Sequence, residues 1–130
     1  MITLNLPYPP SVNAYWMASG HRRYISKRGM AFKQAVAEYV IENNIPKLLN
    51  APIEVLIVLR PRSKKLMDLD NCAKGILDSC QDAGIYEDDV QVQKLTIVRG
   101  LPVKYGGCIV MIAEIKGCLA CVTCGELVTD

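Results

Sequence analysis

The sequence lacks any apolar run that could span a bilayer. Its apolar runs, such as Val55 to Leu59, are far shorter than the roughly 20 residues of a membrane helix. The N-terminus has no basic stretch followed by an apolar one, as an export signal would. A Gly-rich phosphate loop is also absent, which argues against a small-molecule phosphotransferase. We therefore expect one folded cytoplasmic domain whose six cysteines are free or metal-bound.

Acidic residues are unevenly distributed along the chain. No Asp precedes Asp68, and residues 1–65 hold ten Lys or Arg against three Glu, a charge of +7. Residues 66–130 hold five Lys or Arg against ten Asp or Glu, a charge of −5. A basic surface beside clustered carboxylates is typical of a metal-dependent enzyme that acts on a polyanion. Charge alone is also compatible with an uneven solvated surface.

Apolar periodicity predicts two strands and two helices in the first 84 residues. Residues 2–6 alternate as a strand does, and a loop with Gly20 and basic residues 21–23 follows. A helix is expected from Ser26, a candidate N-cap, to Asn44, and residues 53–59 predict a central strand covered on both faces. Asp70 or Asn71 could cap a second helix that runs to Ala83, with Gly84 in the position of a C-terminal cap glycine. The apolar faces of these two helices consist of Phe32, Val36, Tyr39 and Val40, and of Ala73, Ile76, Leu77, Cys80 and Ala83.

Two further strands are expected at residues 90–98 and 108–115. Glycines and Pro102 between them favour an antiparallel hairpin, and the apolar phase slips between Val92 and Leu95, as a bulge would cause. The order strand-helix-strand-helix-strand-strand predicts a single α+β domain with a mixed four-stranded sheet and two helices. We place this domain at residues 1–116, followed by a Cys-rich extension at residues 117–130.

Two pairs of carboxylates are candidates for a metal site. Asp68 and Asp70 point to one side if the segment is extended, and their repulsion would be relieved by Mg²⁺, which prefers oxygen ligands. Asp88 and Asp89 can join them only if the second helix is short or the following loop runs straight back. Alternatively, Asp70 is a helix cap and the second pair lies in a solvated turn. Lys74 could approach a scissile phosphate or form an ordinary ion pair with Asp70 or Asp78.

At these residues the chain resembles the RusA family of Holliday-junction resolvases. The block DLDNCAKGILDSCQDAGIYEDDVQV, residues 68–92, is similar to the family pattern of Asp-Leu-Asp-Asn, a following Lys, Ala-Gly and Asp-Asp. PYPPSVNAYW, residues 7–16, is similar to the family's opening motif. The resemblance covers about residues 2–115. It implies a Mg²⁺-dependent homodimeric endodeoxyribonuclease, with Mn²⁺ as a substitute metal, that makes paired nicks in four-way DNA during recombination and repair, as in prophages.

The resemblance also implies roles for individual residues. The metal-binding carboxylates would be Asp68, Asp70 and Asp89, with Lys74 catalytic and Asp88 in a supporting role. DNA-contacting segments would be residues 11–14 and 64–71, including Ser11, Asn13, Lys64, Lys65 and Asn71. A catalytically silent DNA-binding or regulatory module on the same fold is the alternative, and the joint presence of Asp68, Asp70, Lys74 and Asp89 argues against it.

The basic loop before Asp68 departs from the family pattern. It contains Arg60, Arg62, Lys64 and Lys65 and then Leu66–Met67, whereas the family often has a denser arginine run. The affinity for the DNA phosphate backbone is therefore either lower than in the family or supplied partly by other basic residues, which are Arg22, Arg23, Lys27 and Arg28.

The C-terminal extension contains Cys118, Cys121 and Cys124 at every third residue. This spacing resembles half of a zinc ribbon, but a structural Zn²⁺ requires four ligands. Cys108 or a partner chain could supply the fourth, since the only His, His21, is distant in sequence. The sequence favours a thiol-rich tail without metal over a zinc site.

Overall fold

The computed structural model describes residues 1–64 and 68–115. The predicted strands and helices are present, and five short elements are added to them: one helix, two strands and two 3₁₀ turns, Leu69–Cys72 and Asp89–Gln91. No helix among the described residues is both long enough and apolar enough to cross a membrane. In chain order the elements are β1 Ile2–Leu6, α1 Val12–Tyr15, β2 Trp16–Ser19, β3 Arg22–Ile25, α2 Lys27–Glu42, β4 Ile53–Arg60, α3 Ala73–Asp82, β5 Val92–Arg99 and β6 Gly107–Glu114.

The main sheet has the strand order β1-β6-β4-β5 and is mixed, as predicted. β4 runs parallel to β5 and antiparallel to β6, and β6 is antiparallel to β1. The predicted hairpin between the last two strands is wrong, because β4 lies between them. Their connection instead crosses the end of β4, where Gly100 N–H donates to Leu59 O at 2.7 Å and Val103 N–H donates to Pro61 O at 2.9 Å. The sequence could not reveal this insertion, since a connection of that length fits both arrangements.

The predicted bulge in β5 is confirmed. Ile53 pairs with Val92, but the next residue, Glu54, pairs with Lys94, so Gln93 is the extra residue on β5. The slip keeps Ile97 on the same side of the sheet as Ile57, facing the helices.

One face of the sheet packs on α2 and α3. Val55, Ile57 and Leu59 of β4 lie on this face and are at most 2% exposed, and they share a core with Phe32, Val36 and Ile76 of the helices. The alternate residues of β4 and β6 are half-buried on the opposite face: Leu56, Val58, Ile109, Met111 and Ala113. We call this set the open face. The prediction that both faces of β4 are covered therefore holds for one face only among the described residues.

The loop expected between β1 and α2 has its own structure. Ser11 caps α1 by accepting from Ala14 N–H at 3.3 Å, and β2 and β3 form an antiparallel ribbon that pairs Met17 with Tyr24 and Ser19 with Arg22. Gly20 turns the ribbon with φ +62°. The ribbon presents Arg22 and Arg23 to solvent.

Tyr15 joins the N-terminal segment to both large helices. Its side chain is fully buried, and its hydroxyl lies 2.8 Å from Ser79 Oγ. Added Cβ atoms at Gly29 of α2 and Gly75 of α3 would lie 2.6 Å from Tyr15 O and 2.8 Å from its ring, respectively. Only glycine permits both approaches, so Tyr15 fixes how α1, α2 and α3 meet.

Ser26 is confirmed as the N-cap of α2, since its side chain accepts from Gly29 N–H at 3.0 Å. α3 is shorter than predicted, because a 3₁₀ turn, Leu69–Cys72, occupies the segment assigned to its first residues. Several predictions fall outside the described residues, namely those for Lys65, Leu66–Met67, Cys118, Cys121, Cys124 and the extension at residues 117–130.

Candidate active site

Asp68 and Asp70 lie at the start of the 3₁₀ turn that leads into α3. Both are exposed, and Asp68 is the residue before the turn but makes no side-chain capping bond. The predicted capping of α3 by Asp70 or Asn71 is wrong: the residue at the cap position is Cys72, which also makes no side-chain bond. The 3₁₀ turn displaces both residues from that position. The Asp70 carboxylate is therefore not occupied in capping α3.

The end of α3 directs the chain back along the same helix. Gly84, with φ +86°, donates to Gln81 O at 2.9 Å, and Ile85 N–H donates to Cys80 O at 3.2 Å. These two bonds form a Schellman motif, as the position of Gly84 predicted. Because α3 ends at Asp82, the following loop is long enough to return, and Asp89 N–H donates to the side chain of Gln81 at 3.0 Å.

The turn that carries Asp88 and Asp89 is held by a capping box. Asp88 accepts from Val90 N–H at 2.9 Å, and Gln91 Oε1 accepts from Glu87 N–H and Asp88 N–H, each at 2.9 Å. The other end of the Gln91 amide donates to Ala51 O at 2.8 Å. Gln91 is 8% exposed, so its amide ties the acidic turn to the segment before β4.

Asp89, which follows α3 in the chain, lies near charged groups on that helix. Partial burial raises the pKa of its carboxyl, a hydrogen bond with Asp88 and the charge of Asp78 raise it further, and Lys74 lowers it. Lys74 also forms an i,i+4 pair with Asp78 at 3.5 Å, one of the two alternatives for this lysine. The ammonium of Lys74 is therefore near enough to Asp89 to affect its ionisation.

The acidic residues are suited to a hard cation in their chemistry. Crowded carboxylates, as at Asp89, are stabilised by a divalent ion that prefers oxygen. Within residues 1–64 and 68–115, however, no three acidic, Cys or His side chains are close enough to hold a metal ion. Asp89 is within electrostatic range of Asp78, Asp88 and Lys74, whereas Asp68 and Asp70 lie ahead of α3, at the 3₁₀ turn that leads into it.

The residues predicted to contact DNA lie in two places. Ser11, Arg28 and Arg62 line one cleft, which joins the N-terminal motif to the basic loop. Arg22 and Arg23 lie on the ribbon, where the Arg23 guanidinium sits 5.3 Å from the centre of the Trp16 ring. In the described part of the basic loop Lys64 is exposed, as is Asn13 in α1, while Asn71 is half-buried in the 3₁₀ turn.

Sequence reasoning missed two residues of this site, Gln81 and Gln91, and it considered Asp78 only as an ion-pair partner of Lys74. No spacing rule predicts that Gln81 accepts from the returning Asp89 N–H. Gln91 was identifiable, because an acidic residue followed three positions later by Gln is the pattern of a capping box.

Comparison with known proteins identifies the family. Residues 7–113 match the family model described as Endodeoxyribonuclease RusA. The chain belongs to the RusA family. It is 32% identical over 111 residues to the "Crossover junction endodeoxyribonuclease rusA" of Enterobacteria phage HK97, covering 85% of this chain and 92% of the relative. Identity to the protein of that name from Enterobacteria phage 82 is 33% over 104 residues, covering 80% and 86%.

A bacterial relative extends the RusA match. The "Crossover junction endodeoxyribonuclease RusA" of Escherichia coli strain K12 is 31% identical over 105 residues, covering 81% of this chain and 87% of that protein. The matched RusA region contains both acidic turns, Lys74 and the cleft beside Ser11. The three cysteines of the C-terminal extension lie beyond it.

Proposed function

We propose that this RusA-family protein is a divalent-metal-dependent endodeoxyribonuclease that cuts four-way DNA junctions with paired nicks. The observation that carries the proposal is the hydrogen bond from Asp89 N–H to Gln81 of α3, which leaves the Asp89 carboxyl within electrostatic range of Lys74, in a chain whose RusA relatives are named for crossover junctions. A loop whose only role was to connect α3 to β5 would not need both a buried amide and Gln81 to hold it.

Three carboxylates, those of Asp68, Asp70 and Asp89, would hold the metal. A bound Mg²⁺ would supply charge neutralisation at the phosphodiester and activation of water. The backbone N–H of Asp89 is held by Gln81 and that of its neighbour Asp88 by Gln91, whereas Asp68 and Asp70 are exposed and make no side-chain capping bond. The two turns can therefore converge when the substrate phosphate and the cation arrive together.

Lys74 would bind the phosphate that is cut. Its side chain is 56% exposed, and its partner Asp78 is 3.5 Å away, so the ammonium is accessible from solvent. An exposed pair of this kind contributes little to stability, and a phosphate oxygen could replace the carboxylate at little cost. Lys74 would then hold the phosphodiester beside Asp89.

Basic residues around the site would bind the DNA backbone. Arg62 and Lys64 precede the first carboxylates, Arg28 lies across the cleft, and Arg22 and Arg23 extend along the ribbon. Lysine and arginine contacts to phosphates position the nucleic acid without reading its sequence. This arrangement supports binding of a branched polyanion more than binding of a small anion.

We further propose that the protein acts as a homodimer through the open face. Leu56, Val58, Ile109 and Met111 form an apolar surface on which no described helix packs. A four-way junction has two equivalent strands to cut, and a two-fold dimer offers one carboxylate cluster to each. A second copy of this chain is the partner whose symmetry fits both the surface and the substrate.

A cruciform plasmid tests the nuclease and the paired nicks together. We expect Mg²⁺ to produce linear plasmid, because two nicks fall on opposite strands within one encounter, and EDTA to prevent cutting. A relaxed plasmid of the same sequence is the control. A product that consists of nicked circles alone, without linear plasmid, would contradict the paired mechanism. Tight junction binding without cutting in Mg²⁺ or Mn²⁺ would favour the catalytically silent module.

Sedimentation equilibrium tests the dimer. We expect a mass of twice 14.4 kDa at micromolar concentration, and a single chain's mass for Met111→Asp, because a buried interfacial charge is costly. Ile41→Asp is the matched control, since Ile41 is 75% exposed on α2, away from the sheet. A wild-type mass of one chain, with or without junction DNA, would refute the dimer.

A further inference from the structure

A cleft lies between the N-terminal segment, the start of α2 and the basic loop. Its volume is about 690 Å³, within the range of about 300 to 1,000 Å³ that is usual for small-molecule sites. Four prolines form part of its wall, and they restrict the backbone on both sides. The remaining lining residues on which the argument depends are Tyr8, Phe32, Tyr105, Arg28 and Arg62. We call this the proline cleft.

The lining combines flat aromatic surface with positive charge. Phe32 is 3% exposed and belongs to the core, whereas the Tyr105 ring is 78% exposed and projects from the β5–β6 connection. Arg28 and Arg62 are exposed guanidinium groups at the same cleft. Aromatic rings bind nucleobases by stacking, and guanidinium groups bind phosphate. A nucleotide presents both of these groups at a fixed separation.

Arg28 has an unusual position for a cation. It lies in the first turn of α2, next to Lys27, and this turn contains no acidic residue. The helix dipole disfavours positive charge at this end. A bound phosphate would offset that cost, which supports an anionic group as part of the ligand.

The proline cleft adjoins the candidate active site. Tyr8 lies beside Cys72, in the 3₁₀ turn that carries Asp70, since burial and the neighbouring Cys72 thiol together raise the pKa of Tyr8. An added Cβ at Gly106 would lie 3.1 Å from Tyr8 Cβ and 3.5 Å from Arg62 N, so the Tyr105 loop, Tyr8 and the basic loop meet at one place. A strand whose phosphate lies at Asp70 therefore has its neighbouring nucleotide within reach of the cleft.

We infer that the proline cleft receives one unstacked nucleobase of the strand that is cut, with Tyr105 stacking on the base and Arg28 and Arg62 holding its flanking phosphates. The inference rests on the proposed nuclease function and specifies part of its substrate. Unstacking a base costs least where the duplex is already interrupted, as at the point of strand exchange. The cleft would thus favour branched over continuous DNA.

An abasic scan of a synthetic four-way junction tests the inference. A set of junctions, each lacking one base within three nucleotides of the exchange point, is titrated by fluorescence anisotropy in EDTA at constant salt. For the wild type we expect one position to weaken binding about tenfold, the loss of one base–aromatic stack. Tyr105→Ala should show a similar loss on intact DNA and no further loss at that abasic position.

Two further variants make the scan decisive. Tyr105→Phe keeps the ring and should bind as the wild type does, whereas Leu101→Ala truncates an 80% exposed side chain on the same connection but outside the cleft, and should have no effect. The inference would be overturned if no abasic position weakened binding of the wild type. It would also be overturned if Tyr105→Ala lost as much affinity as the wild type does at the sensitive abasic position. If the wild type neither prefers four-way DNA to duplex nor cuts it, the proposed function itself fails. If the protein cuts junctions but no abasic position weakens binding, the nucleobase role of the proline cleft is refuted and the proposed nuclease function stands.

Discussion

The two acidic turns of this protein are built in opposite ways. The turn with Asp88 and Asp89 is fixed by a capping box, by the buried amide of Gln91 and by the side chain of Gln81. The turn with Asp68 and Asp70 has no side-chain cap, and both carboxylates are exposed. In the sequence, each turn is a pair of Asp residues, and only the spacing of Asp88 and Gln91, which is that of a capping box, distinguishes the two.

The difference suggests a division of work within the site. A rigid turn can preorganise Asp89 beside Lys74 before any substrate binds, which lowers the cost of assembling the site. A turn without side-chain caps can adjust its carboxylates to a cation and a phosphate. The basic loop adjoins this second turn, so DNA binding and the placement of Asp70 are expected to be linked.

The largest expected effect comes from the uncapped turn. Asp70→Asn keeps the size of the side chain but removes a charge that faces the proposed cation, so Mg²⁺-dependent cutting should fall by at least about 100-fold. Junction affinity and the unfolding midpoint should stay close to wild type, because Asp70 makes no capping bond. Cleavage of a labelled four-way junction measures the loss.

Glu87→Gln is the matched control for this variant. It also removes one exposed carboxylate near Asp89, but at a position to which neither the spacing nor the family assigns a role. We expect activity within about twofold of wild type. Equal losses in the two variants would mean that total negative charge matters, and Asp70→Asn with full activity would remove Asp70 from the ligand set.

The next effect tests the rigid turn. Gln91→Leu leaves the N–H groups of Glu87 and Asp88 without their acceptor and Ala51 O without its donor. A buried polar group left unpaired costs about 1 to 3 kcal/mol. Because these three bonds are only partly buried and water can replace some of them, the free energy of unfolding should fall by about 2 to 4 kcal/mol in total. The rate of cutting at saturating DNA should fall as well, while junction affinity should change little.

Gln91→Glu separates positioning from folding in that experiment. It retains oxygen acceptors for the two N–H groups but loses the donor to Ala51, so both losses should be intermediate. Gln93→Leu is the control, because Gln93 is exposed and makes only a 3.3 Å bond to Val90 O. If Gln91→Leu lowers stability but leaves the cutting rate unchanged at a temperature where it is folded, the turn does not position Asp89.

The sequence predicted those parts of the fold that depend on local periodicity. The stripe of Phe32, Val36 and Val40, the cap at Ser26 and the turn at Gly84 each follow from residues within one element, and each is found. The pairing of β4 between β5 and β6 was not predictable, because it depends on contacts across the sheet. The β2–β3 ribbon was missed, since its strands are four residues long and mostly exposed.

Prediction of the site was limited in the same way. The Asp and Lys spacings identified which residues to consider, and the family resemblance assigned their roles. The return of Asp89 to α3 depended on where the helix ends, and a shift of the N-cap position from Asp70 or Asn71 to Cys72, two residues at most, decided that Asp70 is not a cap. Helix boundaries are the least certain part of a sequence-based prediction.

A smaller effect is expected from the basic loop that leads into the uncapped turn. Lys64→Ala combined with Lys65→Ala should reduce the slope of log affinity against log salt by about two, since each phosphate contact contributes about 0.9. Junction affinity measured at several salt concentrations gives the slope. Replacing Arg22 and Arg23 with Ala tests the ribbon in the same way. If the salt slope is unchanged in the lysine variant but reduced in the arginine variant, the DNA-binding surface lies on the ribbon.

The smallest effect concerns the cap of the rigid turn. Asp88→Asn should have stability within about 0.5 kcal/mol of wild type, because Asn and Asp cap helices almost equally well, whereas Asp88→Ala should lose about 1 kcal/mol. Urea unfolding measures both. If Asp88 acts through its cap, as its bond to Val90 N–H suggests, Asp88→Asn should also retain most of the cutting activity and Asp88→Ala should lose some of it. Asp88→Asn could instead lose cutting as severely as Asp70→Asn while its stability is unchanged. That result would assign the charge of Asp88 to the reaction. The contrast between a turn that is built for rigidity and a turn that binds the metal would then no longer hold.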